Sequence, residues 1–320
     1  MNFHNKKVLV LGAGISGRSV AEVLAVQGAT VVLNDSRKVD DASAEFQKLK
    51  ALNVAIITGH QDETLLQSVD FVVVSPGITI ELPLLSVARK QGIMVMSEIE
   101  VAYRLCLAPI IAITGTNGKT TTTALTGEIL TAAGIHTVVG GNIGAALSQE
   151  VRGIQEEGLV VAEISSFQLE GIINFRPRIA AVLNLTPDHI DRHHTLEGYQ
   201  AAKERIFENQ TAADYLILNY DDAKVRNMAS RARSQIMYFS RQIEVPAGGY
   251  IKNGQIHINW QGQSHMICDV KELKLLGNHN VENALAACCA AFLASVSPAV
   301  MADVLRMFSG VEHRIEPVAT

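Results

Sequence analysis

Ile110–Thr123, IIAITGTNGKTTTT, decides how the rest of the chain is read. The apolar run Ile110-Ile111-Ala112-Ile113 predicts a buried strand. It runs directly into Gly115-Thr116-Asn117-Gly118-Lys119-Thr120, and Ala124–Leu130 then shows helical periodicity. Strand, glycine loop, Lys-Thr and helix, in that order, describe a phosphate-binding loop. Gly115 and Gly118 let backbone N–H groups close around phosphate oxygens, and the helix N-terminus adds its partial positive charge. Lys119 is placed to reach the β- and γ-phosphates, and the Thr120 hydroxyl to take a Mg2+ position. The loop is shorter than the common G-x-x-x-x-G-K-[ST], because residue 113 is Ile and the first glycine is Gly115.

Upstream, Val8–Leu11 predicts a strand, followed by Gly12-Ala13-Gly14-Ile15-Ser16-Gly17 and a helix over Ser19–Gln27. A second strand over Thr30–Leu33 ends in Asn34-Asp35-Ser36-Arg37. G-x-G-x-x-G with an acidic residue about 20 positions on is the dinucleotide fingerprint, and by itself it reads as NAD binding. Physically it shows only a tight βα turn able to receive a phosphate. Val54–Ile57, Asp70–Val74 and Met94–Met96 continue as parallel strands. Ser75-Pro76-Gly77 follows one of them, at a strand end where ligands collect in doubly wound sheets.

Beyond the phosphate loop, Leu159–Ile164 is apolar apart from Glu163. A carboxylate at the end of a buried strand is costly unless it is paired or metal-bound. Ile179–Leu183 leads into NLTPDHIDRHH (184–194), where His189 is the candidate functional histidine; His193 and His194 read as solvated loop residues. Lys203 falls on a helix over Tyr199–Glu208, where a lysine is ordinarily solvated. Gly249–Met266, punctuated by Asn253-Gly254 and Gln261-Gly262, predicts a small antiparallel sheet added beside the parallel one. Asn280 and Asn283 share a helical face, where paired amides can bind an adenine edge or cap the helix.

The bulk numbers describe a well-buried soluble globule. The 320 residues suggest two domains, 48% hydrophobic content gives ample core, and a net charge of −5 with no dense Lys/Arg run argues against nucleic-acid binding. No run approaches the roughly 18 apolar residues of a membrane span. The cysteines Cys106, Cys268, Cys288 and Cys289 form no C-x-x-C pair and read as buried thiols.

Taken together, TGTNGKTTT, EISSFQL, NLTPDHIDRH, YQAAKERI, LLGNHNVENALAA and GVEHRIE resemble the Mur ligase family of peptidoglycan synthesis, over the whole chain. GAGISG, NDSR and SPGI resemble its D-glutamate-adding branch. The resemblance replaces the NAD reading. It implies a Rossmann-like doubly wound parallel domain at 1–98 that binds the UDP substrate, a central P-loop ATPase-like α/β domain at 99–310, and at 311–320 the start of a C-terminal domain lying beyond this sequence. It further implies an ATP-dependent ligase of cell-wall biogenesis, needed for cell shape and division, that joins D-glutamate to UDP-N-acetylmuramoyl-L-alanine through an acyl phosphate. By the same resemblance Gly115, Thr116, Asn117, Gly118, Lys119, Thr120 and Thr121 hold the ATP phosphates, Asn280 the adenine, and Arg314 the nucleotide. Thr120, Glu163, His189 and Lys203 (as a carbamate) would serve Mg2+ or Mn2+, with Lys119, Glu163, His189 and Lys203 as the catalytic set. Gly14, Ser16, Asp35, Ser36, Arg37, Ser75, Pro76 and Gly77 would take the UDP end and Asn142 the muramoyl part. A cytoplasmic monomer is expected, one that in this length binds substrate but ligates poorly. An L-alanine-adding or folylpolyglutamate-synthase-like ligase, and a non-catalytic nucleotide-binding module, are the alternatives.

Overall fold

Strand β1 (Lys7–Leu11) sits at the centre of the first sheet in the computed structural model, which describes residues 2–275 and 277–311. In chain order follow α1 (Ile15–Val26), β2 (Thr30–Asp35), α2 (Ala44–Ala51), β3 (Ala55–Thr58), β4 (Phe71–Val74), α3 (Pro83–Lys90), β5 (Met94–Ser97) and α4 (Glu98–Leu105). The five strands pair in the order β3-β2-β1-β4-β5, all parallel. β1 is apolar throughout after Lys7 because both of its faces are covered. Val8 and Val10 point into one core with Val20, Leu24 and Phe71, while Leu9 and Leu11 point into another with Val72, Leu84 and Leu85. Its neighbours β2 and β4 lead away to opposite sides, so the crevice at the C-terminal ends of β1 and β4 is the topological switch point.

The second sheet begins with β6 (Ile110–Thr114) and α5 (Lys119–Ala132), then β7 (Thr137–Gly141), α6 (Leu147–Glu150), β8 (Leu159–Glu163), α7 (Ser166–Leu169), β9 (Ile179–Val182), α8 (Ile190–His193) and α9 (Leu196–Glu204). β10 (Tyr215–Asn219), α10 (Ala223–Asn227), β11 (Gln235–Ser240), β12 (Gly248–Lys252), β13 (Gln255–Trp260), β14 (Gln263–Asp269), α11 (Asn278–Leu293) and α12 (Pro298–Met307) complete it. The sheet has nine strands in the order β14-β13-β12-β11-β10-β9-β6-β8-β7. The antiparallel part predicted around Gly249–Met266 is present, but it is continuous with the parallel sheet. Tyr238–Ser240 of β11 pair in parallel with Gly248–Tyr250 of β12, and the two hairpins extend that edge. Both hairpin turns have positive φ at their two central residues (Asn253 50°, Gly254 76°; Gln261 51°, Gly262 79°), the primed turn that matches strand twist.

α11 lies beneath this sheet and against α5, its run Ala284–Ala291 fully buried. Small side chains let it approach so closely that a Cβ on Gly249 would lie 3.0 Å from Cys289 Sγ. Burial pushes the Cys268 thiol up to about 11 and Cys289 to about 12, so these cysteines act as inert apolar groups.

The chain divides into two compact units. The first runs through Cys106 and takes in two later excursions, Gly140–Gly153 and Ser165–Phe175; the second holds the remaining residues. α4 packs in the first unit, with Ile99, Val101 and Ala102 fully buried. Among the described residues no helix is long and apolar enough to cross a membrane.

Candidate functional site

The phosphate loop leaves β6 and enters α5 through Gly118, which caps the helix at φ 83°, ψ −9°. The left-handed conformation favours glycine, and the space demands it: an added Cβ would lie 2.2 Å from Asn283 Oδ1. The loop is pinned to the segment that follows β9, the strand beside β6. The Asn117 N–H donates to Asn184 Oδ1 (2.8 Å), and Asn184 Nδ2 donates back to the Asn117 carbonyl (3.0 Å). Thr116 Oγ1 donates to the Thr186 carbonyl and accepts from the Thr186 N–H. The helix begins at Lys119, earlier than periodicity suggested, because the buried Thr120, Thr122 and Thr123 are held by packing rather than by helix propensity.

Four of the predicted residues converge here. Lys119 Nζ folds back onto the Gly115 and Thr116 carbonyls, at 3.0 and 2.9 Å. Lys203 Nζ donates to the same Gly115 carbonyl from α9, at 2.9 Å. Thr120 Oγ1 donates to Glu163 Oε2 at 2.8 Å, joining the helix start to the end of β8. Lys203 is 1% exposed, contrary to what a helical lysine ordinarily does. Burial, reinforced by the charge of Lys119 and only partly offset by Asp188, lowers its pKa to about 7. Its ammonium lies 4.5 Å from the ring centre of Tyr199, itself 1% exposed. Tyr199 also meets the rings of His189 (6.3 Å) and His193 (5.2 Å), and its hydroxyl lies 3.4 Å from Thr116 Oγ1. His193 is therefore a buried packing residue and not the solvated one expected, while His194 is exposed. His189 adopts φ 51°, ψ 34°, with a half-exposed side chain whose Nε2 is 3.5 Å from Asp188 Oδ2.

Beside the loop is a cavity of about 170 Å³ lined by Gly118, Thr121, Leu275, His279, Asn280 and Asn283, with Gly310 and Val311. Asn283 Nδ2 donates to Asn280 Oδ1 (3.1 Å), and Thr122 Oγ1 donates to Asn283 Oδ1 (3.3 Å). The paired amides thus line the cavity beside the phosphate loop. Arg314 lies outside the described residues.

A separate cavity of about 350 Å³ belongs wholly to the first unit. Gly14, Ser16, Asp35, Arg37, Ser75, Pro76, Gly77 and Asn142, all predicted, line it; Ser36 does not. The three fingerprint glycines divide the work. Gly12 turns at φ 95°, and Gly17 packs so close that its Cβ would strike the Gly12 carbonyl at 1.7 Å. A Cβ on Gly14 would meet nothing within 4 Å, so the backbone there is open to a ligand. Asp35 spends much of its acceptor capacity on the loop, taking the N–H groups of Ala13 and Arg37, both at 2.9 Å. Burial alone would raise its pKa, but these bonds and the Arg37 guanidinium hold it below the usual carboxylate range. Sequence reasoning passed over Gln168, Gly141 and Gly144 here, and His279 in the smaller cavity. The serine-capped turn after Glu163 was the available signal for Gln168: Ser165 and Gln168 form a reciprocal capping box.

Comparison with known proteins gives a consistent result. The Mur ligase middle domain matches residues 113–291 and the Mur ligase MurD-like N-terminal domain matches residues 6–97. UDP-N-acetylmuramoylalanine–D-glutamate ligase of Pelotomaculum thermopropionicum is 45% identical over 99% of this chain and 70% of its own length. The enzyme of the same name from Koribacter versatilis is 45% identical over 100% and 71%. Among solved structures, UDP-N-acetylmuramate:L-alanyl-gamma-D-glutamyl-meso-diaminopimelate ligase from Neisseria meningitides has a TM-score of 0.65 at 19% identity, covering 96% of this chain and 99% of that one. UDP-N-acetylmuramate-alanine ligase from Thermotoga maritima has a TM-score of 0.56 at 22% identity, covering 96% and 69%. The two structures share the fold.

Proposed function

Because this chain belongs to the Mur ligase family, we propose that its two cavities receive the two nucleotides of one amide ligation, UDP-N-acetylmuramoyl-L-alanine in the first unit and ATP at the phosphate loop of the second. The reaction is the ATP-dependent addition of D-glutamate to the muramoyl nucleotide in peptidoglycan precursor synthesis. The observation that carries this reading is the convergence of Lys119, Lys203, Thr120 and Glu163 on one loop. A hydride-transferring enzyme has no use for that cluster.

A carboxylate is a poor electrophile and needs activation. Its oxygen attacks the γ-phosphorus, the bond to the ADP oxygen breaks, and an acyl phosphate forms. The neutral amine of D-glutamate adds to the acyl carbon. The tetrahedral adduct expels phosphate, which carries off the proton lost by the amine. Loop N–H groups and the α5 N-terminus hold the phosphates, and Lys119 turns from the loop carbonyls onto them. Asn280, with Asn283, receives the adenine, and Arg314 is assigned to the nucleotide. Ser16, Asp35, Ser36, Arg37 and Ser75-Pro76-Gly77 receive the UDP end and Asn142 the muramoyl part.

The donor set fits a hard divalent cation. Thr120 and Glu163 present oxygen atoms 2.8 Å apart. Among the described residues no group of three or more His, Cys, Asp or Glu is gathered to cage a metal. Mg2+, or Mn2+, held by these two oxygens would complete its shell with phosphate oxygens and water. When bound, the cation would neutralise charge on the transferring phosphoryl group. Lys203 is poised for modification, because only a neutral amine adds to CO2 and a pKa of about 7 keeps much of it neutral. The carbamate would replace a repelled cation with a further oxygen donor, and His189 would stand at a second metal position. On this reading the first unit, Met1–Cys106 with the excursions Gly140–Gly153 and Ser165–Phe175, takes the UDP substrate and the second unit takes ATP; a monomer in the cytoplasm is part of the same proposal.

Calorimetric titration tests the assignment. UDP-N-acetylmuramoyl-L-alanine is expected to bind and NADH is not. NADH binding without muramoyl-nucleotide binding would overturn it.

A further inference from the structure

The first turn of α4 carries two buried carboxylates that the ligation chemistry leaves unused, Glu98 and Glu100, 1% and 0% exposed. Each fastens a different excursion of the chain. Glu98 Oε1 accepts from the Ser148 N–H at 2.6 Å, in the first turn of α6. Glu100 Oε2 accepts three successive backbone N–H groups, those of Ile173 (2.9 Å), Asn174 (3.0 Å) and Phe175 (2.9 Å). Its other oxygen accepts from Arg104 Nε at 2.7 Å. The fastened segments are Gly140–Gly153 and Ser165–Phe175, both within the first unit. They supply Gly141, Asn142, Gly144, Ala146 and Gln168 to the larger cavity.

Neither excursion can hold its own shape. α6 and α7 are single turns, too short to persist without outside contacts. Burying a carboxylate is costly, and these two recover the cost by satisfying backbone donors that would otherwise be stranded. We infer that Glu98 and Glu100 are positioning residues that set the affinity of the first unit's cavity for the muramoyl part of its nucleotide, by clamping the two excursions that form one of its walls. This rests on the assignment of that cavity to the muramoyl nucleotide.

The two clamps are chemically unlike. Glu100 uses both oxygens on four donors. Glu98 uses one, its Oε2 has no hydrogen-bond partner among the described residues, and burial raises its pKa. A neutral amide at 98 therefore keeps the bond that matters. At 100 it must turn an NH2 group toward donors.

The test is calorimetric titration of the full chain and its Glu98→Ala, Glu98→Gln and Glu100→Gln variants with UDP-N-acetylmuramoyl-L-alanine and with UDP alone. Glu98→Ala and Glu100→Gln are expected to weaken the muramoyl nucleotide roughly tenfold or more, with UDP changed less than about threefold and Glu98→Gln close to wild type. Equal weakening of both ligands, loss of all binding, or wild-type affinity in Glu98→Ala and Glu100→Gln would each overturn the inference. If Glu100→Gln fails to fold, the Glu98→Ala and Glu98→Gln pair still decides, since only the retained acceptor separates them; if a Glu98 variant fails, Glu100→Gln decides by the same split between the two ligands. A wild-type chain that binds UDP but not the muramoyl nucleotide would instead overturn the cavity's assignment, and the inference with it.

Discussion

Replacing Gly118 by alanine probes the phosphate loop where its geometry is tightest. The residue sits at φ 83°, a conformation that costs an L side chain about 1–2 kcal/mol. The new Cβ would lie 2.2 Å from Asn283 Oδ1, so the Asn283 amide must move. Moving it breaks the bonds from Thr122 Oγ1 (3.3 Å) and to Asn280 Oδ1 (3.1 Å). Each is worth about 0.5–1.5 kcal/mol, so the total cost is about 2–5 kcal/mol. The displaced amide also enters the cavity assigned to the nucleoside. Urea denaturation should show a loss of stability of about 2–5 kcal/mol, and titration with a non-hydrolysable ATP analogue should show affinity reduced roughly tenfold or more. Binding of UDP-N-acetylmuramoyl-L-alanine, in the other unit, should not change. A Gly118→Ala chain as stable as wild type, with undiminished affinity for the analogue, would refute the reasoning.

Lys203 makes stability depend on pH. Its pKa is about 7 when folded and 10.5 ordinarily, so between those values the unfolded chain holds a proton that the folded chain has lost. Stability should therefore rise with pH across that window, by up to about 1.4 kcal/mol per unit, and this contribution should be flat below it. Lys203→Met should abolish the rise, and parallel denaturation profiles for the two proteins would count against a buried amine. Glu163→Gln keeps an acceptor for Thr120 but removes the charge; the Mg2+ concentration needed to support ATP-analogue binding should increase roughly tenfold or more, and an unchanged Mg2+ titration would remove Glu163 from the metal site. Gly12→Ala should lower stability by about 1–3 kcal/mol, since φ is 95° and the Cβ would meet Ser75 Cβ at 2.9 Å. Gly14→Ala, in open space at φ −69°, should melt within about 0.5 kcal/mol of wild type, and equal losses in the two variants would contradict the turn geometry.

What could be read in advance was what is local. Apolar runs, glycine positions and Asn-Gly turns placed β1, β6, α1, α5 and the hairpins, because their energies belong to a few consecutive residues. The same signals located the phosphate loop and the glycine turn at Gly12–Gly17, and the cost of burying Glu163 in an apolar strand marked it as a residue needing a partner. Which partner was not local. Thr120 lies far from Glu163 in sequence, and the two meet because β6 and β8 are neighbours in the sheet. Lys203 has the pattern of a solvated helical lysine; only the packing of α9 and Tyr199 against the loop removes it from water and lowers its pKa. The wall of the larger cavity is the clearest case. Asn142 and Gln168 reach the Ser16 and Asp35 cavity because two excursions pack into the first unit, held there by carboxylates on α4. Periodicity and turn chemistry report what a segment does alone, whereas burial, pKa and convergence depend on which distant segments exclude the water between them.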